Sequence, residues 1–261
     1  MKESILFTKR LVTGFQESPA ECRVYRFLNR VNVNWEAYIE MLAIAVIPEI
    51  EGLTSENRMV AWILDDSPYY RNRSKKVELL SRCYEHSEDR YYKGFSLLTL
   101  GWTDGQSFIP VGYQMVASGN DKNLLEGSHI VDDGRTIATK RRKAARSDKL
   151  YLALKMLSSA KGTALRAKHV LFDSWFASPS FIISVRQLGY HVIARVKNHN
   201  NFRYLYEGEN RPISEIFRRN LKRRGRSRYL LSVMVKIRHN DVPGLIDAKL
   251  VFIRDRTNRK N

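Results

Sequence analysis

Apolar residues along this chain fall into short continuous runs, with stretches of helical spacing between some of them. Met59 to Leu64, Tyr91 to Trp102, Phe108 to Val116, His169 to Phe172 and His191 to Val196 are rich in β-branched and aromatic residues and read as strands. Thr103-Asp104-Gly105-Gln106 joins the second and third as a hairpin turn. Asp65-Asp66-Ser67-Pro68 follows the first run and reads as a turn, so that strand is expected to end in a carboxylate, as does the one before Asp173. Leu150, Ala153, Leu154 and Leu157 have helical spacing, with Ser147 placed to cap and Gly162 to stop that helix. Ser178 followed by Pro179 starts another, with Phe181, Ile182, Val185 and Leu188 on one side. The order strand, two-strand hairpin, helix, strand, helix, strand predicts an α/β fold. Three strands form an antiparallel meander, and two more join it in parallel through helical crossovers.

The flanks differ from this middle part. Residues 1–57 read as helical: Ser18-Pro19-Ala20-Glu21 is a capping box, and Asn34 caps a helix from Trp35 to Val46 that Pro48 should end. Gly119 to Arg146 is polar and reads as a loop. In residues 197–261, Leu230 to Ile237 and Ala248 to Ile253 look like strands, with RRNLKRRGRSR between Phe217 and Tyr229. The expected division is therefore a helical segment (1–57), an α/β core (58–196) and a basic β-rich module (197–261).

Charge changes the picture more than composition does. Lys and Arg number 45 against 27 Asp and Glu, a net charge of +18, and residues 197–261 alone carry a surplus of 11. Such a field favours polyanions, nucleic acid above all. A membrane is not expected, because no apolar run reaches the ~18 residues of a spanning helix and no signal-peptide pattern opens the chain. Cys22 and Cys83 read as isolated reduced thiols, and the histidines form no zinc motif.

Three constellations carry possible chemistry. The first is Asp65 (or Asp66) with Asp173. If the strands before them are parallel neighbours, two carboxylates meet at one sheet edge, and their repulsion is relieved by a divalent cation between them. Hard oxygen donors suit Mg²⁺ or Mn²⁺, the ions of phosphodiester chemistry; the plainer reading is two turn aspartates satisfying backbone N–H groups. The second is the pair of basic runs, Lys140-Arg141-Arg142-Lys143 and Lys222-Arg223-Arg224 continuing to Arg226 and Arg228. They read as DNA phosphate contacts or, more plainly, as solvated loops. The third is Trp175 beside Phe176, placed either to stack on a displaced base or to cap the core.

Trp62-Ile63-Leu64-Asp65-Asp66-Ser67, Gly94 to Trp102 and Val170-Leu171-Phe172-Asp173-Ser174-Trp175-Phe176 together resemble the DDE transposases of bacterial insertion sequences, specifically the "insertion sequence four" group. The tract from Arg223 to Val233 is also similar to that group. The resemblance runs from about Ser18 onward. It implies an RNase H-like mixed sheet with flanking helices and a β-rich insertion after the fifth strand of that fold, where residues 197–253 fall. It implies Asp65 as the first metal-binding catalytic carboxylate, with Asp66 its follower, and Asp173 as the second. The group's third carboxylate, a Glu on a later helix within an Arg…Glu…Lys signature, has no match here. The chain stops at Asn261 before that helix should begin, and Glu207, Glu209 and Glu215 have the wrong surroundings. The expectation is thus a transposase acting on double-stranded DNA, at terminal inverted repeats and target sites. It would work as a homodimer in a paired-end complex in the bacterial cytoplasm at the nucleoid, and as this fragment would be inactive or nearly so. The rival readings are a non-catalytic DNA-binding remnant that sequesters ends and, further off, an RNase H-like nuclease or resolvase.

Overall fold

Strand β3 (Arg90–Thr103) is the spine of the larger sheet. β1 (Ala61–Tyr70) runs antiparallel along one side, from Ala61 opposite Thr103 to Tyr70 opposite Gly94. On the other side β4 (Phe108–Val116) pairs with the second part of β3, and β2 (Ser81–Glu85) with the first. β5 (His169–Phe172) lies parallel to β1, and β6 (His191–Ala194) parallel to β5. This computed structural model describes residues 21–28, 30, 33–53, 58–85, 88–127, 134–199, 202–224 and 227–254. Its six strands, β1 to β4 antiparallel and β5 and β6 joined in parallel through helical crossovers, are RNase H-like, as expected, with β2 added to the three-strand meander read from the sequence.

Six helices lie among the described residues: α1 (Glu21–Leu28), α2 (Trp35–Leu53), α3 (Ile137–Ala145), α4 (Lys149–Lys161), α5 (Pro179–Gln187) and α6 (Ile213–Arg219). A smaller antiparallel sheet follows, in the order β10-β9-β7-β8, from β7 (Arg203–Tyr206), β8 (Glu209–Pro212), β9 (Tyr229–Arg238) and β10 (Leu245–Ile253). It docks on α5: the Gln187 amide donates to the Pro243 carbonyl at 2.7 Å, and the Ile183 side chain lies against Gly244.

The two faces of the large sheet are unequal, and the hydrophobic pattern is the reason. Residues paired across strands share a face, so Trp62 with Trp102, Leu64 with Leu100, and Val170 and Phe172 beside them form one apolar layer. All are buried, in one core with Leu152 and Leu157 of α4 and Phe181 and Ile182 of α5. Burying side chains of this size stabilises the fold by roughly 2–3 kcal/mol each. On the other face Ile63 and Leu171 are only half-buried and Ile193 is 49% exposed.

Several boundaries differ from the sequence reading. Asp65-Asp66-Ser67-Pro68 is not a turn but lies within β1, because β3 runs on beside it; Pro68 is tolerated where the other side of β1 no longer has a partner. α2 passes through Pro48 to Leu53, since Ala43 and Ile47 are buried in the core and hold the helix across the missing N–H. The stretch 119–146 contains α3, capped by Thr136, so Lys140 to Lys143 are helical. Asp148, not Ser147, caps α4 by accepting from the Tyr151 N–H. The β7–β8 hairpin, turned at Glu207-Gly208 with positive φ at both residues, and α6 carry no signal strong enough to have been read. Ser18 to Ala20 of the capping box lie outside the described residues. Cys83 is a free thiol whose Sγ reaches the Gly94 carbonyl at 3.6 Å.

The expected β3–β4 hairpin is present, and Asp104 organises it. Its buried carboxylate accepts from the Gln106 and Ser107 N–H groups at 3.0 and 2.7 Å and pairs with Arg58 at 3.0 Å. The two N–H donors, followed by Arg58, hold its carboxyl below the usual carboxylate range in spite of burial. A lowered folded value gives stability that is present above the unfolded value and lost as pH falls through the folded one. Asp104→Asn should therefore lower the thermal unfolding midpoint by a few degrees at neutral pH and flatten its decline in acid. Thermal melts from pH 7 to pH 3 measure both.

Candidate metal and DNA site

The β1–β5 ladder is four residues long on each strand and ends at Leu64 beside Phe172. The next residue on each strand is an aspartate. Because Leu64 faces the core, Asp65, the next residue of β1, faces the opposite side; Asp173, the first residue past β5, is exposed, and the two strands lie ~4.8 Å apart. Burial raises the Asp65 carboxyl above its ordinary range, although the residue as a whole is exposed; the charges of Asp66 and Asp173 raise it further, against one lowering N–H from Asp66. The two sequence-predicted aspartates are thus brought near each other, close enough for the Asp173 charge to be felt at Asp65.

Asp173 sits in the turn between β5 and α5. Its Oδ1 accepts from the Trp175 N–H at 2.8 Å, so the plainer expectation of a turn aspartate also holds, for one oxygen. Three residues on, Ser178 caps α5 by accepting from the Phe181 N–H at 3.3 Å, with Pro179 at the first helical position. Phe176 is fully buried and belongs to the core, while Trp175 is half-buried at its edge.

Asp66 faces the other way and is compensated. Its Oδ2 accepts from Ser96 Oγ at 2.7 Å and from Lys149 Nζ at 2.6 Å. Lys149 also lies 4.3 Å from the centre of the Trp175 ring, so one ammonium at the start of α4 ties β1 to the turn that carries Asp173. Neither Lys149 nor Ser96 was singled out from the sequence. A lysine at the first helical position and a strand serine have no pattern of their own, and only the fold brings them to Asp66.

No lysine or arginine pairs with Asp65 or Asp173 among the described residues. Two uncompensated carboxylates with hard oxygen donors are a fitting pair of ligands for a divalent cation such as Mg²⁺ or Mn²⁺. No group of three acid, His or Cys side chains able to hold a metal occurs among the described residues. Glu209 and Glu215 pair with Arg211, and Glu215 also with Arg219 at 3.1 Å. Burial would raise the Glu215 carboxyl, but these guanidiniums together hold it below its usual range.

The predicted basic runs divide. On α3, the Arg141 guanidinium donates to the Val33 carbonyl at 2.9 Å and Arg142 pairs with Glu78 at 2.5 Å, so both take part in packing, while Lys140 and Lys143 are exposed. Between α6 and β9, Lys222, Arg223, Arg224 and Arg228 are exposed; Arg226 lies outside the described residues. There the backbone is pinned by the Arg223 N–H donating to the Leu230 carbonyl at 2.8 Å.

An RNase H-like sheet with an aspartate directly after the last β1–β5 rung on each side is the arrangement of a class of nucleic-acid-cutting enzymes. The family model described as DDE superfamily endonuclease matches residues 14–244, and the chain belongs to that family. No curated protein and no solved structure matches it.

Removing one charge of the pair should have opposite effects with and without metal. Without metal, Asp65→Asn should raise the thermal midpoint at neutral pH. The raised folded value penalises the ionised carboxylate above it, and that penalty vanishes as pH falls through it. With millimolar Mn²⁺ the wild type should gain thermal stability and the variant should not. Parallel melts of the two proteins with EDTA and with Mn²⁺ check both signs.

Proposed function

We propose that this chain is a DNA transposase of an insertion sequence, of the "insertion sequence four" type, cutting and joining DNA at the element's ends. Asp65 and Asp173 are the catalytic metal ligands in this reading. The observation that carries it is the parallel β1–β5 pairing, whose last rung, Leu64 beside Phe172, directly precedes both aspartates, with no lysine or arginine paired to either among the described residues. Family membership supports a DNA endonuclease reaction, and a basic β-rich module after the fifth strand of the RNase H-like order supports the group.

A divalent ion held there supplies an activated water or 3′-hydroxyl and charge neutralisation at the scissile phosphate. The chain's own residues do the positioning. The β1–β5 ladder holds the strands that carry the carboxylates, the Trp175 N–H orients Asp173, and Lys149 pairs with Asp66 and offsets part of the charge it adds beside Asp65. The exposed cations of the α6–β9 connection and Lys140 grip the phosphate backbone. Terminal repeats and target DNA are the expected substrates, and a two-protomer complex the expected assembly.

A specific observation favours a second reading as well. No third carboxylate joins the pair among the described residues, which fits a protein that binds ends without cutting them efficiently. Mn²⁺ titration of the purified chain separates these possibilities from a mere turn. Asp65→Ala and Asp173→Ala should each weaken binding tenfold or more, and residues 1–261 should nick supercoiled plasmid slowly if at all. Equal Mn²⁺ binding by the wild type and both variants would sink the metal site; brisk Mg²⁺-dependent nicking would exclude the non-cutting reading.

A further inference from the structure

Segment 71–76, Arg-Asn-Arg-Ser-Lys-Lys, holds four cations and no acid. Topology sets its position. β1 and β2 lie on opposite sides of β3 and both run antiparallel to it, β1 ending and β2 beginning beside Gly94. The connection must cross β3, and its Leu79 and Leu80 are buried in one cluster with Phe95. Arg71, Arg73, Lys75 and Lys76 are left exposed. Phe95 pairs with Tyr69, and Tyr69 shares a sheet face with Asp65 four residues earlier. The crossing therefore lies on the face that carries the acid pair.

Beyond the crossing, Arg82, Tyr84, Tyr91 and Lys93 continue that face on the β2–β3 hairpin. The Arg82 guanidinium lies 4.2 Å from the centre of the Tyr91 ring, which is 58% exposed. The Arg71 guanidinium lies 4.7 Å from that of Tyr69 and donates to its hydroxyl at 2.6 Å. Neither arginine pairs with a carboxylate among the described residues. The opposite face of the same hairpin closes on itself: the Tyr70 hydroxyl donates to Glu85 at 2.5 Å, and Arg90 pairs with Glu85 and Glu88. A guanidinium packed against an aromatic ring is held in place and keeps further N–H donors for a phosphate.

We infer that the crossing segment 71–76 and the ring-supported Arg71 and Arg82 bind the phosphate backbone of DNA running out from the acid pair. This rests on the reading of Asp65 and Asp173 as the cutting site. Four residues of strand separate Asp65 from Tyr69, ~13 Å, or about four nucleotides at ~3.4 Å per step along one strand. The segment thus holds the flank of the cut rather than the cut itself.

The test is equilibrium binding of the full chain to a labelled random-sequence DNA duplex in EDTA, by fluorescence anisotropy over a range of salt. Arg71→Ala with Arg82→Ala should weaken binding about tenfold and flatten the dependence of log affinity on log salt by roughly 1.8, two phosphate contacts' worth. Tyr91→Ala should weaken binding while leaving the salt slope nearly unchanged, since it removes support and no charge. Both substitutions are at exposed positions, and unaltered thermal midpoints verify the fold. Wild-type affinity and slope in the double variant would overturn the inference while leaving the proposed function standing. A wild-type chain with no salt-dependent DNA binding would overturn the proposed function, and the inference with it.

Discussion

Four rungs of parallel ladder hold β5 to β1, and that ladder stops while β1 continues for six more residues against β3. This unequal ending decides the rest of the molecule. Below it, Leu64 and Phe172 seal a core shared with two helices. Above it, the next residue on each chain segment is an acid, Asp65 within β1 and Asp173 in the turn after β5. Two like charges on adjacent strands oppose each other, and the surrounding core holds them together regardless. Burial and the neighbouring aspartate charges raise the Asp65 carboxyl, a cost that a divalent cation between the two would relieve.

The treatment of the other acids sharpens this contrast. Asp66 has Lys149, Asp104 has Arg58, Glu78 has Arg142, and Glu209 and Glu215 share Arg211. The chain has cations in large excess and places several against carboxylates that serve structure. Among the described residues it places none against Asp65 or Asp173. Membership of the DDE superfamily endonuclease family gives that exception a chemical meaning, because a phosphodiester-cutting centre needs its carboxylate oxygens free for metal.

Much of the fold was legible because its strongest signals are local. The Ser178-Pro179 cap, the Asp-Gly hairpin and the apolar runs of β1, β3, β4 and β5 each work within a few residues, and each is present in the structure. What was not legible depends on partners distant in sequence. Nothing near Asp65 shows that β3 extends alongside and turns an apparent Asp-Asp-Ser-Pro turn into strand. Nothing near Pro48 shows that Ala43 and Ile47 are buried. The helix carrying Lys140 to Lys143 has few apolar residues, so polarity alone suggested a loop. At the site, two aspartates at strand ends could be paired on paper, whereas Lys149 and Ser96 had no distinguishing sequence feature. The tyrosine–arginine face was likewise hidden, since its rings and guanidiniums come from three strands.

Helix α5 links two regions that the chain otherwise keeps apart. Its first residue follows the cap that closes the Asp173 turn, and its last, Gln187, holds the loop between β9 and β10. Nine residues of helix make a rod of ~13.5 Å. A rod transmits displacement without damping it. A displacement of the small sheet would therefore reach the Asp173 turn through α5, whereas Asp65, held within β1 against β3, lies off that path.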